Sequence, residues 1–228
     1  GDSHIEICVT DRFGRQYIWD SDKSVYSSKN FSITSSDVEW KGSRFEAPEL
    51  ASNPAYGTVT GANRLETAVY DLAVAEMVKN IEEDGTFRTG EKWSGVWTRD
   101  ISYSAILSLA HLEPEVVKTS LMKKVDRKGR IIQDTGTGGA WPCSTDREVW
   151  AIAAWEVFLE TGDYAWLRQA YPIIRRSLED DLETAYNPES GLFRGESSFI
   201  DWRQQSYPQW MQPVDIAQSE CLGTNAVF

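Results

Sequence analysis

The chain has 228 residues, 41% of them hydrophobic and ten of them tryptophan, enough for one large domain or for a domain with an appendage. Its formal net charge of −12 argues against binding a nucleic-acid backbone, because phosphate contacts need clustered lysine and arginine. No apolar run approaches the ~20 residues that a membrane-spanning helix needs. A neutral substrate such as a carbohydrate meets no electrostatic penalty from this composition.

Cysteine and histidine are both scarce. Cys8, Cys143 and Cys221 show no CxxC spacing, so the sequence indicates neither a zinc module nor a disulfide framework. His4 lies near the terminus, and His111 follows an apolar run that places it at a helix end or in the core. This scarcity argues against Ser-His-Asp and Cys-His hydrolysis and against histidine-rich metal sites. Catalysis would have to use carboxylates, and no cofactor is indicated.

The first 60 residues differ from the rest of the chain. Residues 5–9 alternate as in a strand, residues 11–15 are typical of a turn, and residues 16–19 predict a return strand. Serine- and asparagine-rich sequence follows. We therefore expect a short β or irregular segment over residues 1–60 and a main domain over residues 61–228.

The main domain is predicted to be mainly helical. Apolar residues recur at helical spacing over residues 65–77, a further helix follows Asp100, and Pro114 lies in the first turn of the next. Ser144, Thr145 or Asp146 is expected to cap the helix that follows.

Two consecutive helices suggest the architecture. Residues 149–159 carry a single charge, which predicts a helix buried on every side. Residues 166–185 predict an amphipathic helix whose apolar residues, Leu182 included, lie on one face. An all-buried helix followed by a one-faced helix indicates an inner and an outer ring, as in a toroid of α/α hairpins. A helical bundle or an α-solenoid is the alternative, although no repeat of 34 or 40 residues is evident. A last helix is expected over residues 215–228, and the helix count predicts a partial toroid, hence a portion of a longer protein.

The loop over residues 195–210 is the first place to look for chemistry. It contains Glu196, Asp201, Arg203, Tyr207 and two tryptophans, and serine, glycine and proline mark it as a loop. Aromatic rings offer flat apolar faces to a pyranose, and they raise the pKa of a neighbouring carboxyl towards that of a general acid. A well-packed surface loop with a paired aspartate is the alternative.

Two motifs resemble those of the six-hairpin (α/α)6 glycosidases, the clan of trehalases, glucoamylases and processing α-glucosidases. The first is Trp97-Thr98-Arg99-Asp100 at a helix start, and the second is Phe199-Ile200-Asp201-Trp202. The resemblance covers residues 62–228. It implies that Trp97, Arg99 and Asp100 bind the terminal sugar and that Asp201 is the general acid of an inverting, exo-acting enzyme for α-linked gluco- or manno-oligosaccharides. Its catalytic base would lie in later hairpins, outside this chain.

The trehalase pattern around the general acid is Glu-Ser-Gly-Trp-Asp. The corresponding segment here, Glu196-Ser197-Ser198-Phe199-Ile200-Asp201, is one residue longer and has serine in place of glycine. Glu196 is therefore the reserve candidate for the acid. Further substrate-binding candidates around the same pocket are Trp141, Asp146, Trp202, Arg203 and Tyr207. A role in capping or packing is the alternative for each of them.

Two other kinds of protein fit the same residues. One is a non-catalytic carbohydrate-binding protein on the same scaffold, and the other is a helical interaction module whose aromatic residues are core. Polysaccharide lyases also use α/α toroids, but their anionic substrates suit a chain of charge −12 less well. A glycan-degrading enzyme would be expected in the periplasm or outside the cell.

Overall fold

The computed structural model describes residues 6–10, 16–20, 56–57, 59, 64–133, 143–197 and 207–228. This part of the chain is mainly helical with few strands, as the sequence predicts. The chain forms two compact units, Gly1–Lys79 and Asn80–Phe228. The boundary expected at residue 60 stays a prediction. Over the ranges described, no helix combines the length and the apolar character needed to cross a membrane.

The first unit contains the predicted β-hairpin. Strands β1 (Glu6–Thr10) and β2 (Gln16–Asp20) pair antiparallel, with Glu6 opposite Asp20 and Thr10 opposite Gln16. Helix α1 (Arg64–Lys79) confirms the helical spacing read from residues 65–77, and Val74, Ala75 and Met77 are buried on it.

The second unit alternates helices with short β-turns. Its elements in chain order are α2 (Thr98–Ser104), a π-helical segment (Ala105–Leu109), α3 (Ala110–Leu112), α4 (Pro114–Met122), a 3-10 turn (Thr145–Glu148), α5 (Val149–Thr161), α6 (Tyr164–Thr184), β3 (Tyr186–Asn187), β4 (Leu192–Phe193), α7 (Pro213–Gln218) and α8 (Leu222–Val227).

Local sequence signals set several of these boundaries. Pro114 begins α4, where its missing N–H costs nothing, as predicted. Gly162 ends α5 with a positive φ of 63°, a conformation that favours glycine. Asp163 then caps α6, because its Oδ1 accepts hydrogen bonds from the backbone N–H groups of Ala165 and Trp166.

A short antiparallel hairpin, called a β-turn below, recurs with the same construction in the second unit. Ile81 pairs with Phe87 and Val125 pairs with Ile131, and β3 pairs with β4 after α6. Each turn contains a glycine with φ between 75° and 77°, namely Gly85, Gly129 and Gly191. The last two turns directly follow the long helices α4 and α6, so helix and turn form a repeated unit.

The second strand of each turn is bound to a helix in the same way. The backbone N–H of Phe87 donates to Ser120 Oγ at 2.8 Å, and that of Ile131 donates to Ser177 Oγ at 2.9 Å. The N–H of Phe193 donates to Asn225 Oδ1 at 2.7 Å. Buried backbone donors need such partners, so these polar side chains fix each turn against a helix further along the chain.

Helix α5 lies among α2, α4 and α6 and carries the centre of the core. Trp150 is fully buried and donates from Nε1 to the Leu121 carbonyl at 2.8 Å. The prediction that α5 is buried on every side is wrong, since Trp155 is 49% exposed and Leu159 is 57% exposed. An apolar sequence predicts burial only where another element covers it, and this side of α5 lies open.

Two further expectations are corrected. Leu182 of α6 is exposed, because the buried stripe of this helix continues through the polar Ser177 and Asp181 instead. The helix expected over residues 215–228 is two helices, α7 and α8. Ser219 between them has an extended backbone, and its Oγ donates to the Gly195 carbonyl at 3.0 Å.

Candidate functional site

Two threonines place the site at the N-terminal ends of α2 and α5. Thr98 begins α2 and donates to the Ile132 carbonyl at 2.6 Å, just after one β-turn. Thr145 begins the 3-10 turn before α5 and donates to the Arg194 carbonyl at 2.9 Å, just after the next. The residue that follows each threonine, Arg99 or Asp146, therefore takes an equivalent place in the repeat.

The side chains of Arg99 and Asp146 meet. Arg99 Nη1 lies 3.3 Å from Asp146 Oδ2, and Gln133 Nε2 donates to the same oxygen at 2.5 Å. Asp146 is fully buried, and the carboxyl of Glu196, a residue that is 2% exposed, lies near enough to affect its pKa. Asp146 and Glu196 therefore form a buried carboxyl pair beside a guanidinium.

Burial raises the pKa of Asp146, because a carboxylate loses solvation there. The Arg99 charge, the hydrogen bonds to Glu196 and Gln133 and the Arg147 charge all act in the opposite direction. These partners stabilise a negative charge at a position with no access to water. The buried carboxylate in turn orients the Arg99 guanidinium, whose side chain is 17% exposed and can donate a hydrogen bond to a neutral polar ligand.

Backbone hydrogen bonds hold Glu196 in place on two sides. Its N–H donates to the Cys143 carbonyl at 2.9 Å, and Thr224 Oγ1 donates to its carbonyl. The N–H of the preceding Gly195 donates to the Ser219 carbonyl at 2.9 Å. These bonds hold the segment that carries Glu196 between the start of the 3-10 turn and the C-terminal helices, and the residue is 2% exposed.

Only glycine fits at position 195. Its φ is 125°, and a Cβ would lie 2.3 Å from Thr145 Oγ1 and 2.4 Å from the Cys143 carbonyl oxygen. This close approach brings Glu196 within reach of Asp146.

Two tyrosines border the carboxyl pair. Tyr207 accepts a hydrogen bond from the Ser197 N–H at 3.0 Å, and the charges of Glu196 and Asp146 influence its hydroxyl. Burial raises the pKa of Tyr207 to about 12. Burial also raises the pKa of Tyr103 to about 12, against the effect of Arg99. Both hydroxyls therefore stay protonated at neutral pH.

Helix α2 begins at the predicted motif. Trp97 precedes it and packs edge-to-face on Trp93 with ring centroids 5.7 Å apart, and Trp93 is 48% exposed. Asp100 is exposed in the first turn of the helix. Arg99, which lies between Trp97 and Asp100 in the sequence, pairs with Asp146.

The structure brings together Arg99, Asp146, Glu196 and Tyr207 of the predicted site residues. Asp201, Trp141, Trp202 and Arg203 lie outside the described residues. The expected capping role of Ser144, Thr145 or Asp146 is wrong, because neither the 3-10 turn nor α5 has a side-chain cap and these side chains bond elsewhere.

Sequence reasoning missed Gln133 and Tyr103. Gln133 follows the second strand of a β-turn, so recognising the repeat would have pointed to it. Tyr103 lies one helical turn after Arg99, so helical spacing would have placed it on the same face. His111 is exposed and pairs with Glu160 at 2.9 Å, at the end of α3. Among the described residues, no cluster of histidine, cysteine and acidic side chains is arranged to hold a metal ion.

No protein-family model matches this sequence, and neither a curated protein nor a solved structure shows significant similarity to it.

Proposed function

We propose that this chain is a glycoside hydrolase, inverting and exo-acting on α-linked gluco- or manno-oligosaccharides, built on an (α/α)6 toroid of helical hairpins. The observation that carries the proposal is the Arg99–Asp146–Glu196 cluster, in which Arg99 lies at the start of α2, Asp146 just before α5 and Glu196 just after β4. The repeated helix and β-turn units support the toroid, because each unit contributes polar residues to the same end.

The cluster suits sugar hydroxyls. A guanidinium donates hydrogen bonds, so the partly exposed Arg99 can donate to a sugar hydroxyl while the buried Asp146 carboxylate holds it in place. Trp97, with the half-exposed Trp93 beside it, offers the apolar ring surface that the C–H face of a pyranose needs. Asp100, exposed in the same helical turn, is placed to contact a further hydroxyl.

Asp201 is proposed as the general acid in preference to Glu196. Glu196 is buried beside the Asp146 carboxyl and affects its pKa, which suits a role in holding Asp146 in place. In an inverting mechanism the acid protonates the leaving oxygen while a base activates water, with the two carboxyls roughly 6.5–9.5 Å apart. The clan that the motifs resemble has this base in later hairpins. A periplasmic or secreted location is proposed with the activity.

The acid is tested by comparing wild type with Asp201→Asn and Glu196→Gln, with Glu160→Gln on the surface of α5 as a matched control. Asp201→Asn should lower kcat on oligosaccharides by about 10²–10⁴-fold, and it should retain much more activity on glycosyl fluorides, whose leaving group needs no proton. The opposite assignment, in which Glu196→Gln alone shows this pattern, would make Glu196 the acid.

A non-catalytic carbohydrate-binding protein is the second candidate, because Arg99, Asp146 and Trp97 would bind a sugar without any general acid. Sugar-dependent tryptophan fluorescence, with no turnover of any α-linked substrate, would favour it.

A further inference from the structure

The 3-10 turn Thr145–Glu148 has two opposite sets of contacts. Asp146 contacts Arg99 and Gln133, whereas the next residue, Arg147, contacts α6. The side chains of Arg147 and Asp181 are fully buried, and that of Glu148 is 2% exposed. A buried charge cluster thus lies directly behind the carboxylate of the site.

The Arg147 guanidinium ties the turn to α6. Its Nη2 donates to Asp181 Oδ1, its Nη1 donates to the Ser144 carbonyl at 2.7 Å, and its Nε lies 3.8 Å from Glu148 Oε1. One side chain therefore joins the residue before the turn, the end of the turn and helix α6. Thr145 is fixed as well, by its bond to the Arg194 carbonyl.

The cluster contains one cation and two carboxyls, and it is neutral when one carboxyl keeps its proton. The carboxyls of Glu148 and Asp181 are close enough to affect each other's protonation. Burial, together with the charges of Asp181 and Asp180, raises the pKa of Glu148 well above its usual range. Burial also raises the pKa of Asp181, but the Arg147 guanidinium, which contacts Asp181 directly, opposes this. Glu148 accordingly holds the proton, and Asp181 carries the charge that Arg147 balances.

The charged groups around this proton come from two elements. Arg147 lies on the same turn, and Asp181 and Asp180 face Glu148 from α6. Arg130 lies 3.8 Å from Asp180 and moderates its charge. On the other side of the turn, Arg99 of α2 faces Asp146.

We propose that Arg147, Glu148 and Asp181 act as positioning residues that hold Asp146 against Arg99. The inference rests on the proposed function, in which Asp146 fixes the Arg99 guanidinium that contacts the sugar. Loss of the Asp181 charge would remove the carboxylate that Arg147 Nη2 contacts, and the turn would have to rearrange to bring the Glu148 carboxylate to the guanidinium instead. Because Asp146 lies between Thr145 and Arg147, any rearrangement displaces its carboxylate.

A double-mutant cycle on kcat/KM tests the mechanism of action. Asp181→Asn should lower kcat/KM by about 10–100-fold, the usual effect of a misplaced binding group. Adding it to Asp146→Asn should cause little further loss, because Asp181 acts through Asp146. Glu179→Gln, an exposed carboxyl on the same helix that pairs with Arg175, is the control and should behave as wild type. Fully additive losses would overturn the proposal.

A second measurement does not depend on activity. The guanidinium NMR signal of Arg99 should shift in Asp181→Asn as it does in Asp146→Asn. In wild type the signal should move again when rising pH removes the Glu148 proton, and in Glu148→Gln this movement should be absent. An Arg99 signal unchanged by Asp181→Asn and by rising pH would contradict positioning. If wild type hydrolyses no glycoside, the proposed function fails, but the Arg99 signal still tests the positioning role. If Asp181→Asn does not fold, the Arg99 signal is compared between wild type and Glu148→Gln instead.

Discussion

Arg99 and Asp146, whose side chains meet at 3.3 Å, occupy equivalent places in two successive repeats, each directly after a threonine that binds the chain beyond a β-turn. An ion pair between equivalent positions means that the repeat itself assembles the site. The same relationship brings in Gln133 and Glu196, which follow the two β-turns. In the toroid proposed for the chain, the site would therefore lie at the N-terminal ends of α2 and α5.

The first prediction concerns the pH dependence of activity. Arg99→Gln removes the positive charge that lowers the pKa of Asp146, so this pKa should rise. If sugar binding needs the ionised Asp146, the acid limb of kcat/KM should move to higher pH. The profile is measured on an α-linked oligosaccharide beside Arg88→Gln, which removes an arginine paired with Glu82 elsewhere. An unchanged acid limb in Arg99→Gln would contradict the pairing.

The second prediction concerns Gly195. Gly195→Ala places a Cβ 2.3 Å from Thr145 Oγ1 at a φ of 125°, so it combines backbone strain with a steric clash. We expect a loss of about 2–4 kcal/mol in the free energy of unfolding. The matched control is Gly129→Ala, which has a φ of 77° but open space around the new methyl, and it should cost about 1 kcal/mol. Chemical denaturation of both variants measures the difference, and equal losses would refute the close approach.

The third prediction concerns Tyr207. Tyr207→Phe removes an acceptor of the Ser197 N–H bond and should cost about 1 kcal/mol of stability, whereas Tyr164→Phe, at a position 65% exposed, should cost less than about 0.5 kcal/mol. Because the pKa of Tyr207 is about 12, Tyr207→Phe should leave the ultraviolet titration of the folded protein unchanged up to about pH 11. A smaller absorbance change near pH 10 in this variant would show that Tyr207 is not buried as described.

The fourth prediction concerns the centre of the core. Trp150→Phe removes a fully buried indole and its bond to the Leu121 carbonyl, and it should cost about 2–4 kcal/mol. Trp155→Phe on the open side of α5 should cost less than about 1 kcal/mol, since Trp155 is 49% exposed. Thermal unfolding of the two variants makes the comparison. Similar losses would indicate that the open side of α5 is covered in solution.

Sequence alone gave the local elements and part of the site. The β-hairpin, the helix over residues 65–77, the start of α4 at Pro114 and the position of Arg99 at a helix start all follow from local patterns. These signals are short-range, because turn residues, helical spacing and proline act within a few residues of their own position.

The repeat was not visible in the sequence because single polar residues carry it at unequal spacings. The bonds from Phe87 to Ser120, from Ile131 to Ser177 and from Phe193 to Asn225 join residues 33, 46 and 32 positions apart. Their donors are backbone N–H groups, which leave no trace in the side-chain pattern. The proximity of Asp146 and Glu196 depends on this long-range geometry. The sequence could therefore suggest each residue as a candidate, but it could not predict that the two lie together.

The most direct test of the account is proton NMR of the sugar released from α-linked gluco- and manno-oligosaccharides, followed from the first seconds of the reaction. Wild type should release the β-anomer first, and Asp146→Asn should release it much more slowly with a raised KM. Release of the α-anomer would contradict inversion. No release by wild type from any of these substrates would contradict the glycosidase assignment itself.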